Sequence, residues 1–178
     1  MGKLLFRIAR LRVMGIIVGF MFTYVPFLIP IKKIEQSKDA VSFFHPSPTY
    51  PAHMLIIPRK IARTVFCLSG EDFIAVMDMA VKIRQSRFKA NAELAMIING
   101  GARQDVMQAH FHLFSGNMMR KRELSKDDGI GIELSDKTFW AHFVSKLETL
   151  LQEYDVSADA FSILIQFQKN HGVSLFLI

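Results

Sequence analysis

Residues 104–114, with the sequence QDVMQAHFHLF, hold the side chains that are best suited to chemistry. Gln108, His110 and His112 stand at every second position, and side chains alternate between the two faces of a strand. The pattern therefore predicts a polar row on one face of a strand and an apolar row on the other. Three polar side chains on a sheet face must meet water, a ligand or internal partners, so this row is a candidate site.

The pair of His110 and His112, taken alone, is compatible with three roles. Two imidazoles can bind a metal ion, which usually requires a third histidine or a carboxylate. A neutral imidazole can also attack phosphorus and form a covalent intermediate. The third role is purely structural, with both histidines serving only to stabilise the fold. The pair itself does not decide among metal binding, phosphate chemistry and structure.

The composition limits the class of protein. A length of 178 residues suits one compact domain with an appendage. The net charge of +6 suits phosphate-bearing ligands, anionic lipid or an acidic partner protein. The single cysteine, Cys67, excludes an intrachain disulfide framework and a Cys-rich zinc site. Because Cys67 follows apolar residues, we expect it to be a small buried side chain.

An uncharged apolar segment lies near the N-terminus. Residues 13–31 read VMGIIVGFMFTYVPFLIPI, close to the lower length limit for a spanning helix. A signal peptide would end in a small-x-small cleavage site, which we do not find. A helix buried inside the protein is another interpretation of the segment. We predict an uncleaved single-pass membrane anchor. Basic residues flank it on both sides, so the sequence leaves the side of the globular domain undetermined.

The rest of the chain alternates between strand and helix patterns. Strands are predicted at residues 40–44, 53–58, 94–99 and 106–114. A helix is predicted to begin at Ser69, whose spacing to Asp72 is that of a capping box. A polar loop is expected at residues 115–131, followed by a helix that begins at Asp136 and strands at 161–168 and 173–178. The order helix, strand, turn, strand occurs twice, which suggests a degenerate half-repeat that lacks the histidine pair.

Several motifs in a fixed order resemble the histidine triad (HIT) family. That family carries His-φ-His-φ-His after Gln-x-Val, where φ is apolar, and this chain has Gln104-x-Val106 followed by Gln108, His110 and His112. Upstream of these residues, further counterparts are Ile29-Pro30, the phrase FHPSP at residues 44–48, Pro51-Ala52-His53, the apolar run closed by Pro58-Arg59, and the strand at residues 96–100. The resemblance extends from about residue 29 to residue 116.

The resemblance implies an α+β fold with an antiparallel sheet of about five strands and flanking helices. It divides the chain into an anchor at residues 1–28, a nucleotide-binding core at 29–118, and an extension at 119–178 that holds a basic loop, a helix and a hairpin. The family commonly forms homodimers by joining sheets edge to edge. We expect the extension to supply that edge from within the chain, so that dimerisation is less necessary.

The resemblance also implies roles for single residues. His110 falls at the nucleophilic position, and His112 is expected to hold a phosphate oxygen and to help fix the ring of His110. With Gln108 they form a variant catalytic set, Gln-x-His-x-His. The residues expected to bind the nucleotide are His53 as a hydrogen-bond partner, Asn99 at the phosphates, Ile56 beside the base, and His45 and Gln104.

Two of these positions depart from the family pattern. Gln108 stands where the family has its first histidine, and a carboxamide cannot take up and release a proton at neutral pH. His45 stands where the family usually has an aspartate that binds the ribose hydroxyls. A neutral imidazole offers one acceptor instead of two carboxylate oxygens. We therefore expect turnover and ribose recognition to differ from the family.

The expected function is that of a membrane-anchored nucleotide hydrolase or nucleotidyl transferase. It would act at the α-phosphate of a purine nucleotide or nucleotide conjugate, such as a phosphoramidate or a dinucleoside polyphosphate, through a nucleotidyl-His110 intermediate and without a cofactor. An alternative is a weak or inactive HIT domain that serves as a membrane-complex subunit or a nucleotide sensor. A third is a metal site on His110, His112 and His53. Membrane lipid, complex subunits or a second copy are possible partners, and no nucleic acid is expected.

Overall fold

The computed structural model describes residues 15–25, 32–89, 92–116, 122–123, 132–133, 136–168 and 172–178. Its helices are α1 (Gly15–Tyr24), α2 (Gly70–Arg87), α3 (Lys137–Ala141) and α4 (Phe143–Glu153), with a short 3₁₀ turn at Val65–Cys67. Its strands are β1 (Lys33–Gln36), β2 (Ala40–Phe44), β3 (Met54–Pro58), β4 (Leu94–Gly101), β5 (Phe111–Ser115), β6 (Arg122–Glu123), β7 (Ile132–Glu133), β8 (Ala160–Phe167) and β9 (Gly172–Leu177).

The described strands form one antiparallel sheet. Their order is β1-β2-β3-β5-β4-β8-β9-β6, and β7 also pairs with β9. Alternate residues of the strands pack with α2, α3 and α4 into one large apolar core, so these helices cover the same face of the sheet. The expected α+β fold with an antiparallel sheet is confirmed, and among the described residues the sheet has nine strands where about five were expected.

The helix starts follow the sequence signals. The Ser69 hydroxyl accepts a hydrogen bond from the backbone N–H of Asp72, and the Asp72 carboxylate accepts one from the N–H of Ser69. The predicted capping box is thus confirmed, and it satisfies two N–H groups that the first turn leaves without helical partners. Asp136 begins the C-terminal helical segment by accepting from the N–H of Phe139. That segment is divided at His142 into α3 and α4.

The C-terminal extension continues the sheet directly. β8 pairs with β4 over eight consecutive residues, from Leu94 opposite Phe167 to Gly101 opposite Ala160. As expected, the β4 edge is filled from within the same chain. Gly100 allows this close approach, because any side chain there would overlap the ring of Phe161.

An aromatic cluster joins the extension to the rest of the helical layer. The ring of Phe73 in α2 lies 5.7 Å from Trp140, 4.6 Å from Phe143 and 5.5 Å from Phe111, measured between centroids. All four side chains are at most 1% exposed. Aromatic pairs add packing energy beyond their buried area. The described residues of 136–168 and 172–178 thus contribute to the same core as α2.

Four sequence-based expectations are corrected. The strand predicted at residues 106–114 begins only at Phe111, because the segment before it forms a turn. Cys67 is exposed instead of buried, since the 3₁₀ turn directs Val65 and Leu68 inward and leaves Cys67 outside. β1 was not predicted because its sequence, KIEQ, has no apolar alternation. The short strand β6 lies in the stretch predicted to be loop, and β7 lies just after that stretch, where no element was predicted.

The predicted membrane anchor lies largely outside the described residues, which omit 1–14 and 26–31. Between them, α1 contains ten residues. In the part of the chain that the structure describes, no helix is long and apolar enough to cross a membrane. The anchor and the membrane location therefore stay predictions.

Candidate active site

Three neighbouring strands bring the polar residues together. In β5, His112 pairs with Leu55 of β3 on one side and with Ile97 of β4 on the other. Directly paired residues share a face of the sheet, and here it is the face opposite α2. His53 lies just before β3, and His110 just before β5. The ring centroids of His110 and His112 are 4.9 Å apart, so these two side chains meet as the alternation predicted.

A directed chain of hydrogen bonds fixes the tautomers of His53 and His112. The backbone N–H of Thr49 donates to Nδ1 of His53 over 3.2 Å. Because that nitrogen is an acceptor, the neutral ring of His53 carries its proton on Nε2. His53 Nε2 lies 2.9 Å from Nδ1 of His112 and donates to it. His112 in turn carries its proton on Nε2, which makes that atom a donor for a ligand.

His110 is held in the opposite tautomer. Its Nδ1 lies 2.7 Å from the backbone carbonyl oxygen of Gln108. A carbonyl oxygen only accepts, so Nδ1 carries the proton and Nε2 retains its lone pair. The site therefore combines an imidazole nitrogen that can act as a nucleophile with the N–H donor of the adjacent His112.

Burial keeps these imidazoles neutral. Desolvation lowers the pKa of His112 to about 2, and the neighbouring rings of His110, His53 and His45 add to that effect. Desolvation likewise lowers the pKa of His53 to about 4. The pKa of His110 is also lowered by burial, against the opposing influence of the Gln108 carbonyl and of Asp105. At neutral pH the lone pair of His110 is consequently free of a proton.

His45 joins this cluster through its ring face. Its ring is stacked on that of His53, with the centroids 4.2 Å apart and an interplanar angle of 2°. The backbone N–H of Ser47 donates to Nδ1 of His45 over 3.1 Å. His45 therefore lies beside the hydrogen-bonded histidines, at the position where the resemblance implied contact with the ribose.

The nitrogens of His45, His53 and His112 lie within 4.8 Å of one another, a spacing that can hold a metal ion. This set differs from the predicted one, because His45 takes the place of His110. Backbone N–H groups already occupy Nδ1 of both His45 and His53. Each of these rings would have to lose its Nε2 proton and become an imidazolate to bind a cation at that atom. The arrangement therefore favours the hydrogen-bonded chain over a metal centre.

Gln108 and Gln104 are engaged by the protein backbone. The Gln108 side chain is 1% exposed, donates from Nε2 to the carbonyl of Lys60 over 2.9 Å, and accepts at Oε1 from the N–H of Ala62 over 3.3 Å. Gln104 donates from Nε2 to the carbonyl oxygens of Arg63 and Val106, each over 2.6 Å. Both carboxamides thus attach the loop at residues 60–63 to the segment before β5. The catalytic role expected of Gln108 and the nucleotide contact expected of Gln104 stay predictions, beside the backbone bonds that both side chains make.

Asn99 lies two residues beyond Ile97 on β4, on the same face as His112. Its Oδ1 accepts a hydrogen bond from the hydroxyl of Ser162 over 2.6 Å, which leaves its amide N–H groups as donors. Arg103 donates to the same hydroxyl over 3.4 Å. Sequence reasoning did not single out Ser162 or Arg103, because only the pairing of β8 with β4 brings Ser162 to this edge.

Ile56 does not line the site. It is fully buried in the core against α2, on the face opposite His112. The expectation that Ile56 flanks the base was wrong by one position, because β3 pairs with β5 in a register that sets Leu55 beside His112. Leu55 and Ile57, with Val41 and Phe43, form the apolar cluster on the face of the histidines.

The family of the chain is decided by a match to a known domain. The model of the HIT domain family matches residues 28–119, more than half of the chain. The chain belongs to the histidine triad family. The matched HIT region includes every histidine of the site, together with Gln104, Gln108 and Asn99.

This HIT protein is similar in sequence to proteins of two bacteria. An uncharacterized HIT-like protein of Buchnera aphidicola is 26% identical over 100 residues, which cover 53% of this chain and 88% of that protein. An uncharacterized HIT-like protein of Chlamydia trachomatis is 23% identical over 91 residues, covering 49% and 82%.

Solved structures show the same fold. A histidine triad protein from Clostridium difficile superposes with a TM-score of 0.51 at 20% identity, covering 61% of this chain and 96% of that one. A yeast Ap4A phosphorylase in complex with Ap4A gives a TM-score of 0.55 at 10% identity, covering 92% of this HIT protein and 65% of the phosphorylase. The second likeness extends past the HIT domain into the C-terminal extension.

Proposed function

We propose that this HIT protein is a nucleotide hydrolase or nucleotidyl transferase that acts at an α-phosphate through a covalent nucleotidyl-His110 intermediate. One observation carries the proposal, namely that the Gln108 carbonyl holds the proton of His110 on Nδ1 and so leaves the Nε2 lone pair for attack. Membership of the HIT family supports a nucleotide as the substrate.

In the first step, Nε2 of His110 forms a bond to the α-phosphorus. The bond from phosphorus to the leaving group breaks, and its electron pair goes to the leaving group. The Nε2–H of His112 and the amide N–H groups of Asn99 are the donors that would stabilise negative charge on the phosphoryl oxygens. The ring of His110 becomes cationic in the intermediate, and the carbonyl of Gln108 accepts from its Nδ1–H throughout.

In the second step, water or another acceptor attacks the same phosphorus. The new P–O bond forms as the N–P bond breaks, and the electron pair returns to Nε2 of His110. The proton of the attacking water passes to solvent. Water as the acceptor gives a nucleoside monophosphate, whereas another nucleophile makes the protein a transferase.

The leaving group is restricted by the supply of protons. The carboxamide of Gln108 is not an acid, and a neutral imidazole N–H such as that of His112 donates a hydrogen bond without releasing its proton at neutral pH. An amine must be protonated as it departs, whereas a polyphosphate leaves as a stable anion. We therefore propose phosphoanhydrides, such as dinucleoside polyphosphates, as better substrates than phosphoramidates.

The experiment is the trapping of the intermediate. Detergent-purified full-length protein is incubated with adenosine and guanosine substrates labelled at the α-phosphate, and the label retained on the protein is measured. The wild type and a His142→Ala control, which removes an exposed histidine in the extension, are expected to retain label. A His110→Ala variant is expected to retain none, and label on that variant would refute the assignment of the nucleophile.

A second candidate function is nucleotide sensing without turnover. It is favoured by Gln108, whose carboxamide is bonded to the backbone and supplies no proton. In that case nucleotides raise the unfolding temperature of the protein, but neither label nor product forms with any leaving group.

A further inference from the structure

We propose that Gln108 is a positioning residue that joins the loop at residues 60–63 and the helix α1 to the nucleophilic ring of His110. The catalytic part of this inference rests on the proposed function, whereas the structural part does not. Gln108 replaces the first histidine of the family pattern, and the structure assigns it a use other than proton transfer.

The side chain of Gln108 bonds to two groups of one backbone segment. Its Nε2 donates to the carbonyl of Lys60 and its Oε1 accepts from the N–H of Ala62. The neighbouring backbone extends this attachment, because the N–H of Ala109 donates to the carbonyl of Ala62 over 2.6 Å. Leaving such buried groups without partners is costly, so these bonds fix where the chain stands just before β5.

The backbone of the same residue holds the nucleophile. The carbonyl of Gln108 accepts from Nδ1 of His110 over 2.7 Å, while its N–H donates to the carbonyl of Val106 over 2.8 Å. The carbonyl and the carboxamide belong to one residue, so the bonds that anchor the side chain also restrict the backbone that directs the carbonyl. The tautomer and orientation of His110 therefore depend on the bonds to Lys60 and Ala62.

The helix α1 rests on the same carboxamide. Gly19 is buried, and any side chain there would overlap Oε1 of Gln108 and approach Ile61. One turn further along α1, the carbonyl of Thr23 accepts from Nη2 of Arg59 over 3.5 Å. The helix α1 thus contacts both the loop and Gln108, the residue whose carbonyl bonds to the ring of His110.

A histidine would not replace Gln108 in this role. The oxygen and nitrogen of a carboxamide share one carbon and point in similar directions, which suits an acceptor and a donor that belong to adjacent backbone groups. The two nitrogens of an imidazole point away from each other. Restoring the family histidine by Gln108→His is therefore expected to slow formation of the intermediate.

The first test needs no nucleotide. Imidazole ¹⁵N NMR on the full-length protein in detergent compares the wild type with Gln108→Met, Gly19→Ala and a Gln152→Met control, which changes an exposed glutamine on α4. The wild type and the control are expected to show the proton of His110 on Nδ1. Both other variants are expected to show a mixture of tautomers and faster amide exchange at Ala62 and Ala109.

Gly19→Ala keeps every hydrogen-bonding side chain, so it tests the proposal even where Gln108→Met does not fold. A folded variant of either kind whose His110 signals match those of the wild type would overturn the positioning role. If Gln108 only added stability, its substitution would lower the unfolding temperature without changing the tautomer of His110.

The second test measures the rate at which His110 is labelled in a single turnover. Gln108→Met and Gln108→His are expected to reduce this rate by about ten- to a hundredfold, as small misplacements of reacting groups do, with nucleotide affinity little changed. A rate increase in Gln108→His would contradict the proposal. If the wild-type protein showed the expected tautomer of His110 but took up no label, the proposed catalytic function alone would be refuted.

Discussion

Nε2 of His53 lies 2.9 Å from Nδ1 of His112, and the hydrogen bond between them has a direction set by the backbone. The N–H of Thr49 determines where His53 carries its proton, and His53 in turn determines where His112 carries its own. A backbone amide in the turn before β3 thereby controls which atom of His112 faces a ligand.

This relationship predicts the effect of changing His53. His53→Ala removes the donor to Nδ1 of His112, so His112 can adopt either tautomer and loses its orientation toward the phosphate. We expect labelling of His110 to slow by about a hundredfold, the usual cost of a lost donor at a charged transition state. His53→Gln retains an N–H donor and is expected to recover part of the rate. Equal single-turnover rates in His53→Ala and the wild type would remove His53 from the mechanism.

The lack of an acid at Gln108 predicts an order of substrates. With matched adenosine compounds, we expect kcat/KM to be higher for a dinucleoside polyphosphate than for an adenosine phosphoramidate. The phosphoramidate rate should rise as the pH falls from 8 to 6, because solvent then supplies the proton that the leaving amine needs. The polyphosphate rate should respond less over that range. If the phosphoramidate were turned over faster than the polyphosphate at pH 8, the site would have to contain an acid.

Burial of neutral histidines predicts that the protein loses stability in acid. The pKa of His53 falls to about 4 on folding, from about 6.5 in an unfolded chain. The unfolded chain therefore binds more protons between these two values, and the stabilising contribution is present above pH 6.5 and lost as the pH falls toward 4. The lowered pKa values of His112 and His110 act in the same direction.

Urea unfolding measures this dependence. The free energy of unfolding should decrease below about pH 6.5, by at most about 1.4 kcal/mol per pH unit for each histidine. His53→Gln should flatten the slope, whereas Gln152→Met, which changes an exposed side chain without a titratable group, should leave it unchanged. A slope that does not differ between the wild type and His53→Gln would mean that His53 titrates normally in the folded protein.

The aromatic cluster predicts that the HIT region and the extension unfold together. Trp140 is 1% exposed and stacks on Phe73, so Trp140→Ala should cost about 3–5 kcal/mol, as large-to-small changes of buried aromatic residues do. Calorimetry should show one transition at a lower temperature. Two resolved transitions, with the first alone shifted by the substitution, would mean that the extension is an independent unit.

Much of the fold follows from local signals in the sequence. The bonds between Ser69 and Asp72 form as their spacing predicts, and Ala40–Phe44 is a strand with the predicted bounds. The strand β1 was missed because its stability comes from pairing with β2 and not from its own residues. Cys67 was misplaced because a three-residue turn changes which side chains face inward.

The structure brings together histidines that the sequence singled out, but their hydrogen-bond partners could not be predicted. The adjacency of His110 and His112 follows from their spacing. Whether Leu55 or Ile56 shares the face of His112 depends on the register between β3 and β5, which no local pattern specifies. The bonds of Gln108 to Lys60 and Ala62 join residues more than forty positions apart, and no spacing rule indicates them.

The pairing of β8 with β4 also bears on how the protein responds to dilution. An interface between separate subunits weakens as their concentration falls, by mass action. Here the strand that fills the β4 edge is tethered by the chain itself, so its local concentration is the same in a single molecule as in a crowded preparation. The stability that this strand contributes to the sheet should therefore be independent of protein abundance.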